Sequence, residues 1–206
     1  DLSQSMWAAD TQPSRVRRAR QKIMDILDTR AEGVTGMVVF AGDAHVVTPL
    51  TDDARTIENL LSALSPDIMP LQGSNATEAL ILSAGLLETA GLTNGNILLI
   101  TDGLPKFSVN EAGDALRSVN ATLSILTVGS TTGAPIPLPE GGFLRDSDDQ
   151  IVIPSVDKEV IERIASQLAA KTAEVSVDES DIRYLLAGNE SSITAEDSLE
   201  RKTDTW

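Results

Sequence analysis

The stretch Asn96-Ile97-Leu98-Leu99-Ile100-Thr101 constrains the fold more than any other. Its apolar residues fill both faces of a strand, so neither face can meet water. Such a strand belongs in the middle of a parallel sheet that is covered on both sides. Thr101-Asp102-Gly103 stands at its carboxyl end, where open α/β sheets place their sites. A helix predicted over 110–120 and a second apolar strand, Leu123 to Gly129, follow. Helix, strand, helix, strand in this order predicts an α/β fold with a doubly wound, mostly parallel sheet flanked by helices.

The remaining elements fit around that sheet. Val16, Ala19, Ile23, Ile26 and Leu27 form a helical stripe after Pro13-Ser14, predicting a helix to about Thr29. Its other face carries Arg15, Arg17, Arg18, Arg20 and Lys22, read as a solvated face, with a basic docking patch as the alternative. Met37 to Phe40 is a short buried strand, and His45 to Leu50 returns as an antiparallel edge strand interrupted by Pro49. His45 has no second ligand nearby and reads as structural. Thr51-Asp52-Asp53 caps a helix carrying Ile57, Leu60, Leu61 and Leu64. A mostly apolar helix opens at about Asn75 and ends at Gly91. Residues 130–155 read as a β-hairpin on the rim, with a solvated acidic turn at Asp146–Asp149 that lacks the pattern of a calcium loop. A helix over Asp157–Lys171, a short strand at Glu174–Val177 and a helix over Ser180–Leu186 complete a domain of residues 1–188. Residues 189–206, ending in Trp206, read as a polar tail or linker.

Composition narrows the function. The chain has 206 residues with 16 Lys and Arg against 31 Asp and Glu, a net charge of -15. A field of that sign repels phosphate backbones and anionic lipid and gathers cations. There is no cysteine, which removes disulfides and thiolate metal sites. No apolar run approaches the roughly 20 residues a membrane-spanning helix needs.

The cation-binding candidates are oxygens. Asp1-Leu2-Ser3-Gln4-Ser5 puts a carboxylate and two hydroxyls at alternate positions. Gly73-Ser74-Asn75 opens a helix, and Asp102 ends the central strand. Hard oxygen ligands of this kind suit magnesium or manganese. Asp-x-Ser-x-Ser, a helix-opening Gly-Ser and Thr-Asp-Gly, in that order, resemble the metal-ion-dependent adhesion site of von Willebrand factor type A domains. Longer matches run through Val39-Phe40-Ala41-Gly42-Asp43-Ala44, Pro49-Leu50-Thr51-Asp52-Asp53 and Met69-Pro70-Leu71-Gln72-Gly73-Ser74. They resemble the bacterial aerotolerance (Bat-type) membrane proteins, of the B-like branch.

The resemblance implies a Rossmann-like von Willebrand factor A fold and a metal site of Asp1, Ser3, Ser5, Ser74 and Asp102, with Thr77 as the alternative to Ser74. It implies a Mg2+ or Mn2+ ion and a protein partner offering a Glu or Asp carboxylate, with no nucleic acid. It also implies a membrane-anchored parent, with this domain on the periplasmic or extracytoplasmic face of the cytoplasmic membrane. The strand that leads into the first loop in that family is expected to precede Asp1. The expectation is a binding module and not an enzyme, since no general base is evident. A metal-assisted phosphate or ester hydrolase is the alternative.

Overall fold

In a computed structural model, residues 1–29 and 33–187 are described. The tail predicted for 189–206 lies outside the described residues. Six α-helices and five strands are present among them: α1 (Arg15–Thr29), β1 (Thr35–Phe40), β2 (Ala44–Thr51), α2 (Ala54–Leu61), α3 (Ala76–Thr89), β3 (Asn96–Thr101), α4 (Val109–Ser118), β4 (Thr122–Thr127), α5 (Lys158–Gln167), β5 (Lys171–Glu174) and α6 (Ser180–Leu186).

β3, β4 and β5 pair in parallel in that order, and β1 pairs antiparallel with β2. Helices cover both faces of this layer, as the sequence pattern requires. Leu99, Leu123 and Ile125 point to one side, where they pack with Leu80 of α3, Leu116 of α4 and Ile161 and Ile164 of α5. Val39, Ile100 and Val128 point to the other, against Val16 and Ala19 of α1 and Ile57 and Leu61 of α2. The period of two in the strands thus serves two separate apolar cores.

Local chemistry sets the helix ends. Asp53, Asn75, Ser108 and Asp157 each accept a hydrogen bond from the backbone N–H three residues on, capping α2, α3, α4 and α5. The β1–β2 ladder shifts register twice, once across Pro49, a residue without an N–H, and once at Val47.

The structure corrects several expectations. β3 is an edge of the three-stranded sheet, and β4 lies at its centre. Among the described residues the two sheets share no ladder; instead, the backbone of Asp1 and Leu2 bridges the ends of β3 and β1. α5 stops at Gln167, short of Lys171, because Ala169 takes a left-handed conformation (φ 52°) and the Ala170 N–H turns back to the Ala165 carbonyl. β5 consequently begins at Lys171, earlier than the predicted Glu174. The rim hairpin reduces to two antiparallel bridges, Pro137 with Phe143 and Arg145 with Ile151. Its acidic turn is structural: the Asp146 carboxylate accepts from the Asp148 and Gln150 N–H groups, both at 2.9 Å.

The basic face of α1 is the largest correction. Arg17 is exposed, but Arg15 and Lys22 are the two bulkiest fully buried side chains, at 0% and 1% exposure. They stand two helical turns apart on the face that also buries Ala19. Lys22 Nζ pairs with Asp181 Oδ1 at 2.8 Å and donates to the Asp178 carbonyl. Asp181 also accepts from the Ser176 N–H at 2.9 Å and the Ile182 N–H at 2.8 Å. Burial pushes the Asp181 carboxyl up, but hydrogen bonds from Lys22, Ser176 and Ile182 outweigh it and hold the carboxyl below its ordinary value. The pair therefore fastens α6 to α1.

Removing one partner of a buried ion pair strands the other charge, at a cost of about 3–5 kcal/mol. Asp181→Ala is expected to lose stability in that range in urea denaturation. Replacing both residues together, Lys22→Met with Asp181→Leu, is expected to recover most of the loss. A cost below about 1 kcal/mol for Asp181→Ala would show that the pair holds nothing.

Candidate metal centre at the carboxyl ends of the strands

Three loops meet where β1 and β3 end. Phe40 and Ala41 provide the common rail. The Leu2 N–H donates to the Phe40 carbonyl at 2.7 Å, and the Asn75 N–H donates to the Ala41 carbonyl at 2.6 Å. The loop beginning at Asp1 and the loop carrying Ser74 are therefore fixed to adjacent peptide groups. The third loop joins through β3: the Asp1 nitrogen donates to the Ile100 carbonyl at 3.0 Å, and the Thr101 hydroxyl donates to Asp1 Oδ2 at 2.6 Å.

Two glycines make this approach possible. A Cβ on Gly42 would stand 2.6 Å from Leu71 Cγ, and one on Gly73 would stand 2.9 Å from the Gly42 Cα. Gly73 also takes a φ of 147°, which L side chains rarely adopt. Any side chain at either position would push the Ser74 loop away from Ala41.

The predicted oxygens occupy this junction in different ways. Asp1 Oδ1 accepts from the Ser3 N–H at 2.8 Å, which folds the first loop back on itself. Ser3 Oγ and Ser5 Oγ lie 2.9 Å apart, so the two hydroxyls do face one point. Asp102 is buried, with 7% exposure. Ser74 Oγ is buried with no hydrogen-bond partner. A buried hydroxyl left unpaired carries its full desolvation cost, about 1–3 kcal/mol, unless a ligand satisfies it. Thr77, the alternative in this loop, is committed elsewhere: its hydroxyl accepts the Ser108 N–H at 2.9 Å. The second-loop oxygen that remains available is that of Ser74. His45 does not join the junction through a hydrogen bond; its Nε2 pairs with Asp43 Oδ2 at 2.9 Å.

One further group enters the junction that the sequence pattern did not mark. Arg15 extends its guanidinium from the first turn of α1. Nη1 binds Asp102 Oδ2 at 2.6 Å, while Nε and Nη2 grip both oxygens of Asp10 at 2.8 and 2.6 Å. Nη2 also donates to the Pro154 carbonyl at 2.7 Å. Asp10 Oδ2 in turn accepts from the Ser130 N–H and hydroxyl at 2.8 and 2.9 Å. Burial pushes the Asp10 carboxyl up, but hydrogen bonds from Arg15 and Ser130 outweigh it and bring it down to about 2. The readable signal was the spacing of Arg15, Ala19 and Lys22 at i, i+4 and i+7, one continuous face of α1.

The donor set fits a hard divalent cation. Three neutral hydroxyls and two carboxylates offer only oxygen, and one hydroxyl is buried and unsatisfied. Among the described residues no cluster of three or more His, Cys, Asp or Glu side chains could hold a metal on its own, so an ion here depends on the hydroxyls.

The profile of the von Willebrand factor type A domain matches residues 1–104. The chain belongs to the von Willebrand factor type A domain family. As a type A domain it is similar to two solved structures over nearly its whole length. One is the protein BatB from Bacteroides thetaiotaomicron, 28% identical with a TM-score of 0.85, covering 93% of this chain and 96% of that one. The other is an aerotolerance-related membrane protein from Bacteroides fragilis, 27% identical with a TM-score of 0.83, covering 92% and 95%. These place the type A domain in the Bat-type branch. A UPF0353 protein of Mycobacterium tuberculosis is 25% identical over 183 residues, covering 80% of this chain and 50% of its own length. The type A domain thus spans about half the length of the curated relatives it matches. Among the described residues no helix is long and apolar enough to cross a membrane.

The Asp10 carboxyl gives a pH signature. Unfolded, it takes up a proton near its ordinary 3.8; folded, only near 2. Its contribution to stability is therefore complete above about pH 4 and is lost as pH falls from about 4 towards 2, because the unfolded chain binds the proton first. Asp10→Asn is expected to lower the urea midpoint at pH 7 and to flatten its decline below pH 4. Parallel pH curves for the two proteins would remove Asp10 from this role.

Proposed function

We propose that this type A domain is a divalent-metal-dependent protein-binding module. Mg2+ or Mn2+ is held by Asp1, Ser3, Ser5, Ser74 and Asp102, and its open coordination position receives a Glu or Asp carboxylate from a partner protein. The observation that supports this reading is the buried, unpartnered Ser74 Oγ, in a loop fixed to the same rail as Asp1. A hydroxyl-rich ligand set leaves the ion short of negative charge, which favours an incoming carboxylate. Turnover would need a positioned acid or base as well. At the junction Arg15 already engages Asp10 and Asp102, and Asp1 accepts from Ser3 and Thr101; His45 lies apart, against Asp43. The domain accordingly acts by binding, without catalysis.

The parent protein is membrane-anchored on this proposal, with the domain on the extracytoplasmic, periplasmic side. The likeness to an aerotolerance-related membrane protein over 92% of the chain supports the anchoring.

Magnesium or manganese is expected to raise the melting temperature. An ion at a hundred times its dissociation constant stabilises by about 2.7 kcal/mol, or roughly 5–10 °C for a domain of this size. Asp102→Ala is expected to abolish the shift. Ser74→Ala is the gentler control, because its hydroxyl has no internal partner to lose. If neither metal moves the melting temperature at millimolar concentration, the site is not as proposed. Phosphatase and esterase screens are expected to show no turnover.

A further inference from the structure

Among the described residues, Arg15 is the one strong cation bonded into the junction, and its surroundings are shaped to hold it. The side chain is 0% exposed, and every polar atom of its guanidinium has a partner. Gly129, at φ 126°, leaves the space it fills, since a Cβ there would stand 2.6 Å from Arg15 Nε. Two carboxylates, Asp10 and Asp102, bind this guanidinium, and Asp1 adds a third carboxylate to the junction through its bonds to Ser3 and Thr101. The three carboxylates exceed the one guanidinium by two negative charges, the charge a divalent ion would cancel.

Resting on the metal-binding reading above, we infer that Arg15 is the positioning residue that sets the affinity of the site. It competes with the ion for Asp102 and reports the outcome to residues 130–156. Asp102 Oδ2 is already engaged by Arg15 Nη1 at 2.6 Å. A divalent ion drawing on the same carboxylate weakens that bond, and it repels the guanidinium at short range in a poorly hydrated site. The guanidinium cannot lose its proton, so the conflict is relieved only by movement. Its remaining contacts define what moves. Asp10 links it to Ser130, where the 130–156 segment leaves β4, and Pro154 links it to the place where the segment returns. The Val156 N–H closes the base of the segment on the Ser130 carbonyl at 2.9 Å. The two ends of the rim segment thus hang from the cation that the metal displaces.

Two readouts test this, one for affinity and one for transmission. Calorimetric titration with Mn2+ is expected to show about tenfold tighter binding for Arg15→Met than for the wild type. Arg15→Lys, which keeps the charge without the bidentate grip on Asp10, is expected to return the affinity most of the way. In hydrogen exchange, Mn2+ is expected to speed the amides of Ser130 and Val156 in the wild type. In Arg15→Met the same amides are fast already and do not respond. Circular dichroism confirms which variants are folded, and Arg15→Lys carries the test if Arg15→Met is not.

Two outcomes overturn the inference while leaving the metal site standing: unchanged or weaker Mn2+ binding in folded Arg15→Met, or no Mn2+ effect on the Ser130 and Val156 amides of the wild type. Absence of Mn2+ binding in the wild type and in both Arg15 variants overturns the site itself.

Discussion

A buried guanidinium tolerates no vacant donor and no missing counter-charge. The contacts of Arg15 with Asp10, Asp102 and Pro154 therefore act as one unit that sets much of the surrounding geometry. Arg15 occupies the first turn of α1, where the helix macrodipole disfavours a positive charge. Asp10 reverses that local balance: it meets the guanidinium with both oxygens while lying against the same helix start. Helix, carboxylates and rim segment are consequently positioned together. Moving any one of them alone would leave a charge without its partner in a low-dielectric interior.

The same helix carries a second buried cation, Lys22, further along its inner face. Arg15 and Lys22 are separated by two turns, about 10 Å along the axis. The first is tied to the carboxyl ends of the strands and the second to α6, through Asp178 and Asp181. Apolar packing between the two cations, from Val16 and Ala19, joins α1 to the second of the two cores. An aliphatic core packs well but specifies orientation weakly, and this chain has only 3% aromatic residues. Two directional ion pairs on one helix provide the registration that aromatic anchors supply elsewhere. They do so at a desolvation cost that only full hydrogen bonding can offset.

Much of this architecture was legible before any coordinates. The apolar run at 97–100 and the largely apolar one at 123–128 are short-range signals that marked β3 and β4, and Asp53, Asn75 and Asp157 marked the starts of α2, α3 and α5. Asp1, Ser3, Ser5, Ser74 and Asp102 were readable as oxygens at the ends of elements; the structure fixes the Asp1 and Ser74 loops to Phe40 and Ala41 and joins the Asp102 loop to them through Asp1. Two kinds of feature were not readable. The end of α5 depended on Ala169 adopting a left-handed conformation, which no glycine announced. The burial of Arg15 and Lys22 depended on partners 87 and 159 residues away in the chain, and a charged residue on a helix is usually solvated. Their helical spacing with Ala19 was the available clue, but charge outweighed position in reading it.

The charge arithmetic also bears on how a partner would be received. The chain as a whole carries -15, so an acidic partner is repelled once it comes within a Debye length, about 8–10 Å at moderate salt; farther out, salt screens the charges. Attraction can therefore arise only locally, and the junction without an ion offers little of it: its one guanidinium is fully enclosed by Asp10, Asp102 and a carbonyl. On the proposed reading, a bound dication changes this. It brings the group of three carboxylates and one guanidinium to neutrality and adds an electrophilic centre that the buried arginine cannot provide. Repulsion within a Debye length and coordination at contact then act together as a filter. A carboxylate held at the right place on a complementary surface is accepted, while acidic material at large is kept away. The surplus of acidic residues is thus compatible with an acid-binding role, provided the metal and not the protein surface supplies the attraction.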